Sequence, residues 1–564
     1  MIRNFFNSKI SVIVLFALFL GWLLLWFDCD PSILRRYGDF GDEGYWFQNA
    51  ANKLNHGRFL TDDQGQAFFG APLYNWLLTV FIRLGDSRIF LAKLLSVLCT
   101  FGSGILLFRI LNSFVQNRAQ VLLFVVLFFS LAEVKYYSAW ISPVSMEMLG
   151  LMGYLAFVLK NDLSRTKNAM IAGFLVLLCL GIKLTSITLI PVLALHIVYD
   201  LLKNNIVTVG NYRRGLLRLL AGIGIPVFGY IFINLLLKQQ YPAEFKQFGQ
   251  VVAWNLNLKV GLNSIINESL NIAFYLKGFT GILKYPTSSL LIAISFFMFL
   301  KFFGMLNFGK WRAAVLADRN GSFIFILLGI SFLYLSITGT MGFDRRLIVY
   351  LPIFVLLGAL LWQGYSETVS LNKINRILNF GLVILILGVQ FWALRETGLL
   401  NIAKVRNLLA ILAFLSIVIV AVYRQFAPLF LILSNVVLVL FFPPKGTQLA
   451  EARNKVKEIT AKHNAVYISG QEAHLLAMDS KVIPIWYLKN MFTWNHKLNL
   501  FQLNRPVALV ECVNHPNPGY LNRLDLPKDT KLIDSTVFSG FRYAGRQGFT
   551  RNKYKVLIVA PARN

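Results

Sequence analysis

Two adjacent carboxylates, Asp42 and Glu43, stand in the stretch Gly41-Asp-Glu-Gly-Tyr-Trp46, just beyond the first hydrophobic segment of the chain. A carboxylate that faces a cleft can take a proton from an acceptor hydroxyl or amine, as a general base must. The same residues also have a structural interpretation, in which Asp42 is the N-cap of a helix and Glu43 complements its positive end. The two interpretations are compatible, because a helix end also fixes the direction of a carboxylate.

Three ionisable residues, Lys93, Glu147 and Lys183, fall inside hydrophobic segments. Charged groups are costly in lipid and normally face protein or water. Each of them could instead reach the membrane surface along its own side chain, although Glu147 has the shortest reach. In the topology given below, all three lie near the same side of the membrane as Asp42, which predicts one polar cavity that opens outward.

Two neighbouring arginines, Arg345 and Arg346, flank a later hydrophobic segment on that same outer side, against the positive-inside tendency. A guanidinium fork is well suited to hold a phosphate or pyrophosphate. The structural alternative is a salt bridge to Asp344. With Lys183 as an added point charge, the arginines would suit the head group of an anionic lipid.

The elements that must position these residues are membrane spans. Of the 564 residues, 56% are hydrophobic and 14% are charged, and the mean hydropathy is +0.60, which excludes an ordinary soluble protein. Stretches of the roughly 20 apolar residues that a span needs recur about 13 times between Ser8 and Phe442. Their approximate centres are Leu18, Thr100, Val126, Leu151, Leu175, Leu193, Val227, Ile294, Leu328, Val355, Leu385, Leu415 and Leu433.

The formal charge of +29 follows from cations in short loops between spans, so the positive-inside rule explains it and nucleic acid is not an expected partner. This rule predicts a multi-pass protein of the plasma (inner) membrane with a cytoplasmic N-terminus, and an odd number of spans places the C-terminus outside. The first segment lacks a small-residue cleavage site, which favours a retained anchor. The four cysteines predict neither a disulfide framework nor a metal motif.

Two sizeable outer loops are predicted, from about residue 28 to 86 and from about 238 to 285. In the first, Trp46, Ala50 and Leu54 recur at a helical interval after Asp42, while polar residues face elsewhere. This pattern predicts a helix that lies in the membrane interface. The polar residues are Gln48, Asn49, Asn52 and Lys53.

The composition changes at Pro443–Gly446, after which hydrophobic runs become short. We therefore predict a transmembrane domain over residues 1–444 and a small extracytoplasmic α/β domain over 445–564. The second domain is predicted to contain a helix from Gln448 to His463. Its predicted strands are Ala465–Ser469, Val482–Tyr487, Val507–Val513, Leu532–Val537 and Lys555–Val559.

The sequence contains no GxxxxGK[ST] phosphate loop, no HExxH, no CxxC pair and no GxGxxG after a strand. Nucleotide-driven transport, zinc proteolysis and dinucleotide redox chemistry therefore lose support. A transporter or flippase of lipid-linked sugars stays an alternative, although such proteins usually bind at the bilayer midplane between repeats. A sensor or assembly scaffold is a third alternative, which leaves the acidic loop unexplained.

Three stretches resemble the first outer loop of the GT-C superfamily of membrane glycosyltransferases. They are Asp42–Trp46, Gly70-Ala-Pro-Leu-Tyr-Asn-Trp76 and Leu84-Gly-Asp-Ser-Arg-Ile-Phe-Leu-Ala-Lys93. Gly181–Thr185 and Asp344–Pro352 resemble later family segments more loosely. The resemblance includes the protein O-mannosyltransferase-like and lipid A aminoarabinose transferase-like branches, and it implies about 13 spans followed by an outer tail domain.

The resemblance implies a hexosyl- or pentosyltransferase that moves a sugar, with inversion, from a polyprenyl-phosphate donor to a glycan, lipid or protein acceptor at the outer membrane face. Asp42 would act as the base with help from Glu43, and Lys183 with Arg345 or Arg346 would bind the donor phosphate. The substrate site would further include Tyr74, Lys93 and Glu147. No metal ligand has a diagnostic spacing, and a divalent metal is left open because some members use one and others do not.

Overall fold

The computed structural model describes residues 9–25, 41–57, 70–86, 88–204, 212–240, 319–338, 348–368, 432, 436, 447–470, 476–478, 480–485, 506–512, 530–543 and 549–561. Up to residue 368 these residues are helical, and from residue 447 they form a mixed helix and sheet structure. Arg345 and Arg346 lie outside the described residues, as do most of the predicted loop 238–285 and the predicted domain boundary at 443–446. The domain division therefore stays a prediction.

The helices of the first part follow one another with short connections. In chain order they are α1 (Lys9–Leu24), α2 (Gly41–His56), α3 (Pro72–Ile82), α4 (Arg88–Phe114), α5 (Arg118–Ser130), α6 (Ala132–Ser138), α7 (Val144–Lys160), α8 (Thr166–Ile182), α9 (Leu189–Lys203), α10 (Tyr212–Gln240), α11 (Arg319–Thr338) and α12 (Leu351–Thr368). Short 3-10 helices at Leu184–Thr188 and Ile348–Tyr350 precede α9 and α12.

Within the described part, three stretches are long and apolar enough to cross a membrane, namely α4, α10 and the continuous run Leu184–Lys203. Shorter apolar helices accompany them, among them α5 and α8. The predicted centres at Ile294, Leu385, Leu415 and Leu433 lie outside the described residues, and the other centres fall in helices. A polytopic helical architecture is therefore present, while the count of about 13 spans stays a prediction.

Close packing between α8 and α10 depends on glycine. A Cβ atom added to Gly173 of α8 would overlap the carbonyl oxygen of Gly222 in α10, and Ala169 lies beside Gly222 one turn earlier. Small residues at such a contact let two helix backbones approach closely, which is a common way for membrane helices to associate. This pair therefore fixes where α10 lies against the bundle.

A polar cluster joins three helices at the end of α7 that is far from Glu147. Arg319, the first residue of α11, forms a salt bridge of 2.6 Å with the buried Asp200 of α9. The same guanidinium donates hydrogen bonds to the carbonyl oxygens of Val158, Leu159 and Asn161 at the end of α7. Because its charge and donors are satisfied by several elements, Arg319 fixes α7, α9 and α11 relative to one another.

The C-terminal part contains a helix and a five-stranded sheet. The elements are α13 (Thr447–Lys462), β1 (Tyr467–Gly470), β2 (Ile483–Ile485), β3 (Val507–Cys512), β4 (Thr530–Tyr543) and β5 (Phe549–Pro561). The strand order is β2-β1-β3-β5-β4, in which β1 is parallel to β2 and β3 while β5 is antiparallel to β3 and β4. Apolar side chains of α13 and of the strands share one core.

The β4–β5 hairpin is longer than the sequence predicted. The strands were predicted as Leu532–Val537 and Lys555–Val559, whereas they extend over 530–543 and 549–561. Half of the added residues are polar, such as Ser539 and Lys553, and they interrupt the apolar runs from which a strand is predicted. Their backbones nevertheless pair in the ladder, which depends on hydrogen bonds rather than on side-chain hydrophobicity.

Candidate active site

The helix that carries Asp42 and Glu43 begins at Gly41. Both acids therefore lie in its first turn, so Asp42 is inside the helix and not at the N-cap position that the structural interpretation gave it. Acidic residues in a first turn are favoured by the positive end of the helix dipole. The orientation of these two side chains lies outside what the structure describes.

The polar side of α2 is buried, which corrects the prediction of a helix lying in the membrane interface. Gln48, Asn49 and Asn52 are only 3–4% exposed, as little as Ala51 on the apolar side. An interfacial helix would leave this side in water, whereas here protein covers both sides. The side-chain amide nitrogens of Gln48 and Asn49 have no hydrogen-bond partner among the described residues.

Unpaired buried donors of this kind cost free energy, about 1–3 kcal/mol each, unless a ligand or water satisfies them. Asn49 follows Asp42 by seven residues, or nearly two full turns, so the two positions share one side of α2. These amides were not among the residues predicted for the site. Their signal was their type, because amide side chains hydrogen-bond hydroxyl groups, but their burial follows only from tertiary packing.

Tyr74 lies in the first turn of α3, which Pro72 begins at a position where proline is well tolerated. The side chain is 1% exposed, and its ring meets that of Trp46 edge to face with centroids 5.8 Å apart. Its neighbour Leu73 packs against Gly181, where an added Cβ would come within 3.2 Å of the leucine Cβ. The Gly70–Trp76 stretch therefore links α2 to the end of α8.

Glu147 and Lys183 form an ion pair. The Lys183 ammonium lies 3.0 Å from Oε2 of Glu147, and both side chains are largely buried. Oε1 of Glu147 accepts hydrogen bonds from the hydroxyls of Thr185 at 2.7 Å and Ser186 at 3.3 Å.

The local backbone explains this arrangement. Helix α8 ends at Ile182, Lys183 is extended with φ −160° and ψ 132°, and a 3-10 helix begins at Leu184. This break in the helix brings the lysine and the two hydroxyls to the first turns of α7, where Glu147 lies. Both charges are therefore neutralised within the protein, and neither needs to reach the membrane surface.

Lys93 is also buried, with 7% exposure, in the second turn of α4. One apolar cluster connects its position with the other candidates. It contains the immediate sequence neighbours of Lys93, Glu147 and Lys183, and it contains Tyr74 itself. Its buried members include Phe47, Tyr74, Ala92, Met146, Ile182 and, from the C-terminal part, Met478. The structure thus pairs Glu147 with Lys183 directly and places Tyr74 and the sequence neighbours of all three charged candidates in one cluster.

The segment that follows Arg345 and Arg346 packs against the helix that carries Glu147. The 3-10 helix Ile348–Tyr350 contacts α7, the helix of Glu147, and Ile348 and Val349 are buried there. The positions of the two arginine side chains lie outside the described residues. Their contribution to a phosphate site therefore stays a prediction.

A buried pair of charged residues, Glu133 and Lys135, was not among the predicted site residues. Both lie in α6 and are 2% exposed. The Lys135 ammonium donates to the carbonyl oxygen of Leu23 at 2.9 Å and to that of Leu25, so it caps the end of α1. The available signal was the stretch Ala132-Glu-Val-Lys between two predicted spans, because charges there require partners.

Metal ligands are not grouped in the described part of the chain, where no three His, Cys, Asp or Glu side chains are placed to hold an ion. Around the candidate centre, the described polar groups include hydroxyls, amides, two ammonium groups and a carboxylate. These groups are able to bind hydroxyl and phosphate oxygens.

Comparison of the sequence with protein-family models and with curated proteins finds no significant match. Solved structures do resemble the chain. Two are of ArnT from Cupriavidus metallidurans, in the apo state (14% identity, TM-score 0.56) and bound to undecaprenyl phosphate (16% identity, TM-score 0.57), and each comparison covers 98% of both chains. The arabinosyltransferase EmbB from Mycobacterium smegmatis gives a TM-score of 0.44 at 15% identity, over 83% of this chain and 42% of that one.

Proposed function

We propose that this chain, which has the fold of the GT-C membrane glycosyltransferase ArnT, transfers a sugar from a polyprenyl-phosphate donor to an acceptor at the outer face of the membrane. The observation that carries the proposal is the buried ion pair of Glu147 and Lys183 beside an apolar cluster that contains Tyr74, the sequence neighbour of Lys93 and part of the helix of Asp42. The resemblance over nearly the whole chain to a structure bound to undecaprenyl phosphate supports the donor class.

In the proposed reaction, an acceptor oxygen attacks the anomeric carbon of the donor sugar from the side opposite the phosphate. The bond between that carbon and the phosphate oxygen breaks, and the configuration inverts. Asp42, assisted by Glu43, takes the proton of the acceptor, as a general base does. Polyprenyl phosphate leaves with the bonding electron pair.

Negative charge builds on the phosphate as it leaves, so a nearby cation lowers the barrier. Lys183 is the described candidate, and Arg345 or Arg346 would add a guanidinium fork. The unpaired amide nitrogens of Gln48 and Asn49 would donate to sugar hydroxyls. The long lipid tail of the donor explains why such chemistry takes place in a membrane protein.

The proposal places the chain in the plasma (inner) membrane, with the N-terminus in the cytoplasm and the C-terminal part outside. The acceptor is a glycan, a lipid or a protein. The cations of the short loops support this orientation through the positive-inside rule.

The test is transfer from radiolabelled polyprenyl-phosphate sugars in membranes that contain the unaltered chain or the Asp42→Asn variant. Loss of the base is expected to lower the transfer rate by about 10²-fold or more, because general-base catalysis contributes about that much. Glu458→Gln, at an exposed carboxylate of α13, is the matched control and should transfer normally. Transfer that survives Asp42→Asn would refute Asp42 as the base.

A further inference from the structure

A large cavity lies between helices α2 to α4 and the C-terminal part of the chain. Its volume is about 1680 Å³. One wall comes from α2 and from the turn between α3 and α4, and the other comes from the end of α13 and the segments that precede β1, β2 and β3. The pockets of drug-sized ligands measure about 300–1000 Å³, so this space fits something larger than a single sugar ring.

Both walls of the cavity carry positive charge. Arg83 and Arg88 come from the helical wall, and Lys457 and Lys481 come from the C-terminal wall. Asp86 is the acidic residue of the described lining. Like charges placed on both sides of an interface cost free energy, whereas an anion between them is attracted to both sides.

The remaining lining is suited to carbohydrate. Asn55 and Asn464 provide amide groups and Phe90 provides an exposed aromatic ring, while Phe47, Thr460, Tyr467 and Ser480 line the cavity with little exposed surface. Arg88 already donates a hydrogen bond of 2.8 Å to Asn55, so these two groups are held together at the wall. A mixed lining of this kind binds hydroxyl-rich molecules, and the arginines add the geometry that recognises phosphate or carboxylate.

We propose that this cavity binds an anionic carbohydrate that bears phosphate or carboxylate groups and bridges the helical and C-terminal parts of the protein. The inference deepens the proposed function and rests on it in one respect, namely that the natural ligand of this class would be the acceptor. The carbohydrate is either a free glycan or the head group of a glycolipid at the membrane surface. Both sources present the same chemistry to the cavity.

The cavity lies on a different side of α2 from the position of Asp42. Phe47, Ala51 and Asn55 line it, and they follow one another at four-residue intervals along one helix side. Asn49 and the position of Asp42 belong to the opposite side. The cavity is therefore a separate site that can hold one part of a long acceptor while another part reaches the base.

The experiment measures binding of oligosaccharides to the purified full-length chain in detergent, without any sugar donor. Hexagalacturonate and a phosphorylated mannopentaose are the anionic probes, and maltohexaose is the neutral one. Nanodiscs that contain an anionic glycolipid, or phosphatidylglycerol alone, separate the glycan from the lipid source. We expect the anionic oligosaccharides or the glycolipid to bind, with an affinity that falls as the salt concentration rises.

The double variant Lys457→Glu, Lys481→Glu should weaken this binding at least tenfold. The double variant Lys531→Glu, Lys553→Glu makes the same change in charge at exposed positions of β4 and β5 and should bind normally. Without ligand, the first variant should melt at the same or a higher temperature than the unaltered chain, because glutamates at these positions attract Arg83 and Arg88. If the lysines had a purely structural role, the first variant would melt at a lower temperature than the unaltered chain.

If the glutamate variant does not fold, the milder Lys457→Gln, Lys481→Gln variant replaces it with the same expected direction. Equal binding of neutral and anionic oligosaccharides, unchanged binding by both lysine variants, or binding of phosphatidylglycerol alone would overturn the proposal. Binding of undecaprenyl phosphate is measured in parallel. If undecaprenyl phosphate binds while the lysine variants bind anionic oligosaccharides as well as the unaltered chain does, the cavity proposal fails but the proposed transferase function does not.

Discussion

At the scale of single residues, Lys183 has two competing partners in the proposed reaction. In the structure its ammonium is paired with Glu147, and Thr185 and Ser186 hold the carboxylate in place. A donor phosphate would have to draw the ammonium away from this carboxylate, at least in part. Because Glu147 keeps its two hydroxyl partners when the lysine moves, the cost of separating the pair is reduced.

This competition predicts opposite effects of two variants on lipid binding. Lys183→Met should weaken the binding of undecaprenyl phosphate by about tenfold or more, which corresponds to at least about 1.4 kcal/mol. Glu147→Gln should leave it unchanged or strengthen it, because the ammonium loses its competitor. Titration of the purified protein with the lipid, followed by native mass spectrometry, measures both affinities.

A lysine with only a structural role gives a different pattern. Each variant would then lower the melting temperature, since breaking a buried ion pair costs about 3–5 kcal/mol, and neither would change lipid affinity. Melting curves of both variants, recorded beside the binding data, separate the two cases. Equal losses of stability with equal affinities would contradict the prediction.

Part of this site could be predicted from residue types alone. The positions of Lys93, Glu147 and Lys183 near one end of their spans follow from counting along hydrophobic segments, and the structure places their neighbours in one cluster. The pairing of Glu147 with Lys183 could not be predicted, because it depends on the helix break after Ile182 and on how α7 packs against α8. The burial of Gln48 and Asn49 likewise depends on what covers α2.

At the scale of elements, the contact between α8 and α10 is the most sensitive to size. Gly173 leaves no space for a side chain beside the Gly222 carbonyl, and Pro226 also lies close to Gly173. Backbone atoms cannot move aside as a flexible side chain can. Any added group must therefore push the two helices apart.

The corresponding prediction is that Gly173→Ala destabilises the protein by about 1–3 kcal/mol, the usual cost of overpacking. Gly153→Ala is the matched control, because a Cβ at Gly153 of α7 meets no atom within 4 Å. Thermal unfolding of the detergent-purified proteins measures the difference. A melting temperature that falls equally in both variants would show that the loss of glycine, and not the contact, is responsible.

The sequence predicts helices well where an apolar run is long, as in α4 and α10, because length alone distinguishes a span from a strand. It also predicts α13 to within a residue at each end, since its apolar positions recur at a helical interval. It fails at the outer halves of β4 and β5, where polar residues interrupt the apolar ones and the strands pair through the backbone. It also misses α6, which is seven residues long and lies between two predicted spans.

At the scale of the whole molecule, the C-terminal part has its own polar link between helix and sheet. His463, next to the end of α13, lies 2.7 Å from the carboxylate of Asp534 in β4. The hydrogen bond from His463 holds the pKa of Asp534 below its ordinary value of 3.8. The helical part, up to residue 368, is held together instead by apolar packing and by the ion pairs of Arg319 and Lys183.

Because the His463–Asp534 link depends on a charged carboxylate, we expect acid to loosen the contact between α13 and β4 first. A carboxylate whose pKa is lowered by folding stabilises the fold above its ordinary pKa, and this stabilisation is lost as the pH falls through the lowered value. We therefore expect α13 to keep its protection from hydrogen exchange down to about pH 4 and to lose it at lower pH, after correction for intrinsic rates. In the Asp534→Asn variant, the hydrogen-exchange protection of α13 should be lower at pH 7 and should change less as the pH falls. The same pH dependence in both proteins would contradict the prediction.

Helix α7 is anchored at both of its ends. Near its beginning Glu147 is tied to the segment after α8, and at its other end, about 20 Å along the axis, its last carbonyls accept from Arg319. A carrier that alternates between two faces of the membrane needs helices that rock or slide past one another. Such movement of α7 against its neighbours would have to break polar contacts at both ends together, so we expect α7 to stay in register with α9, α11 and the segment after α8.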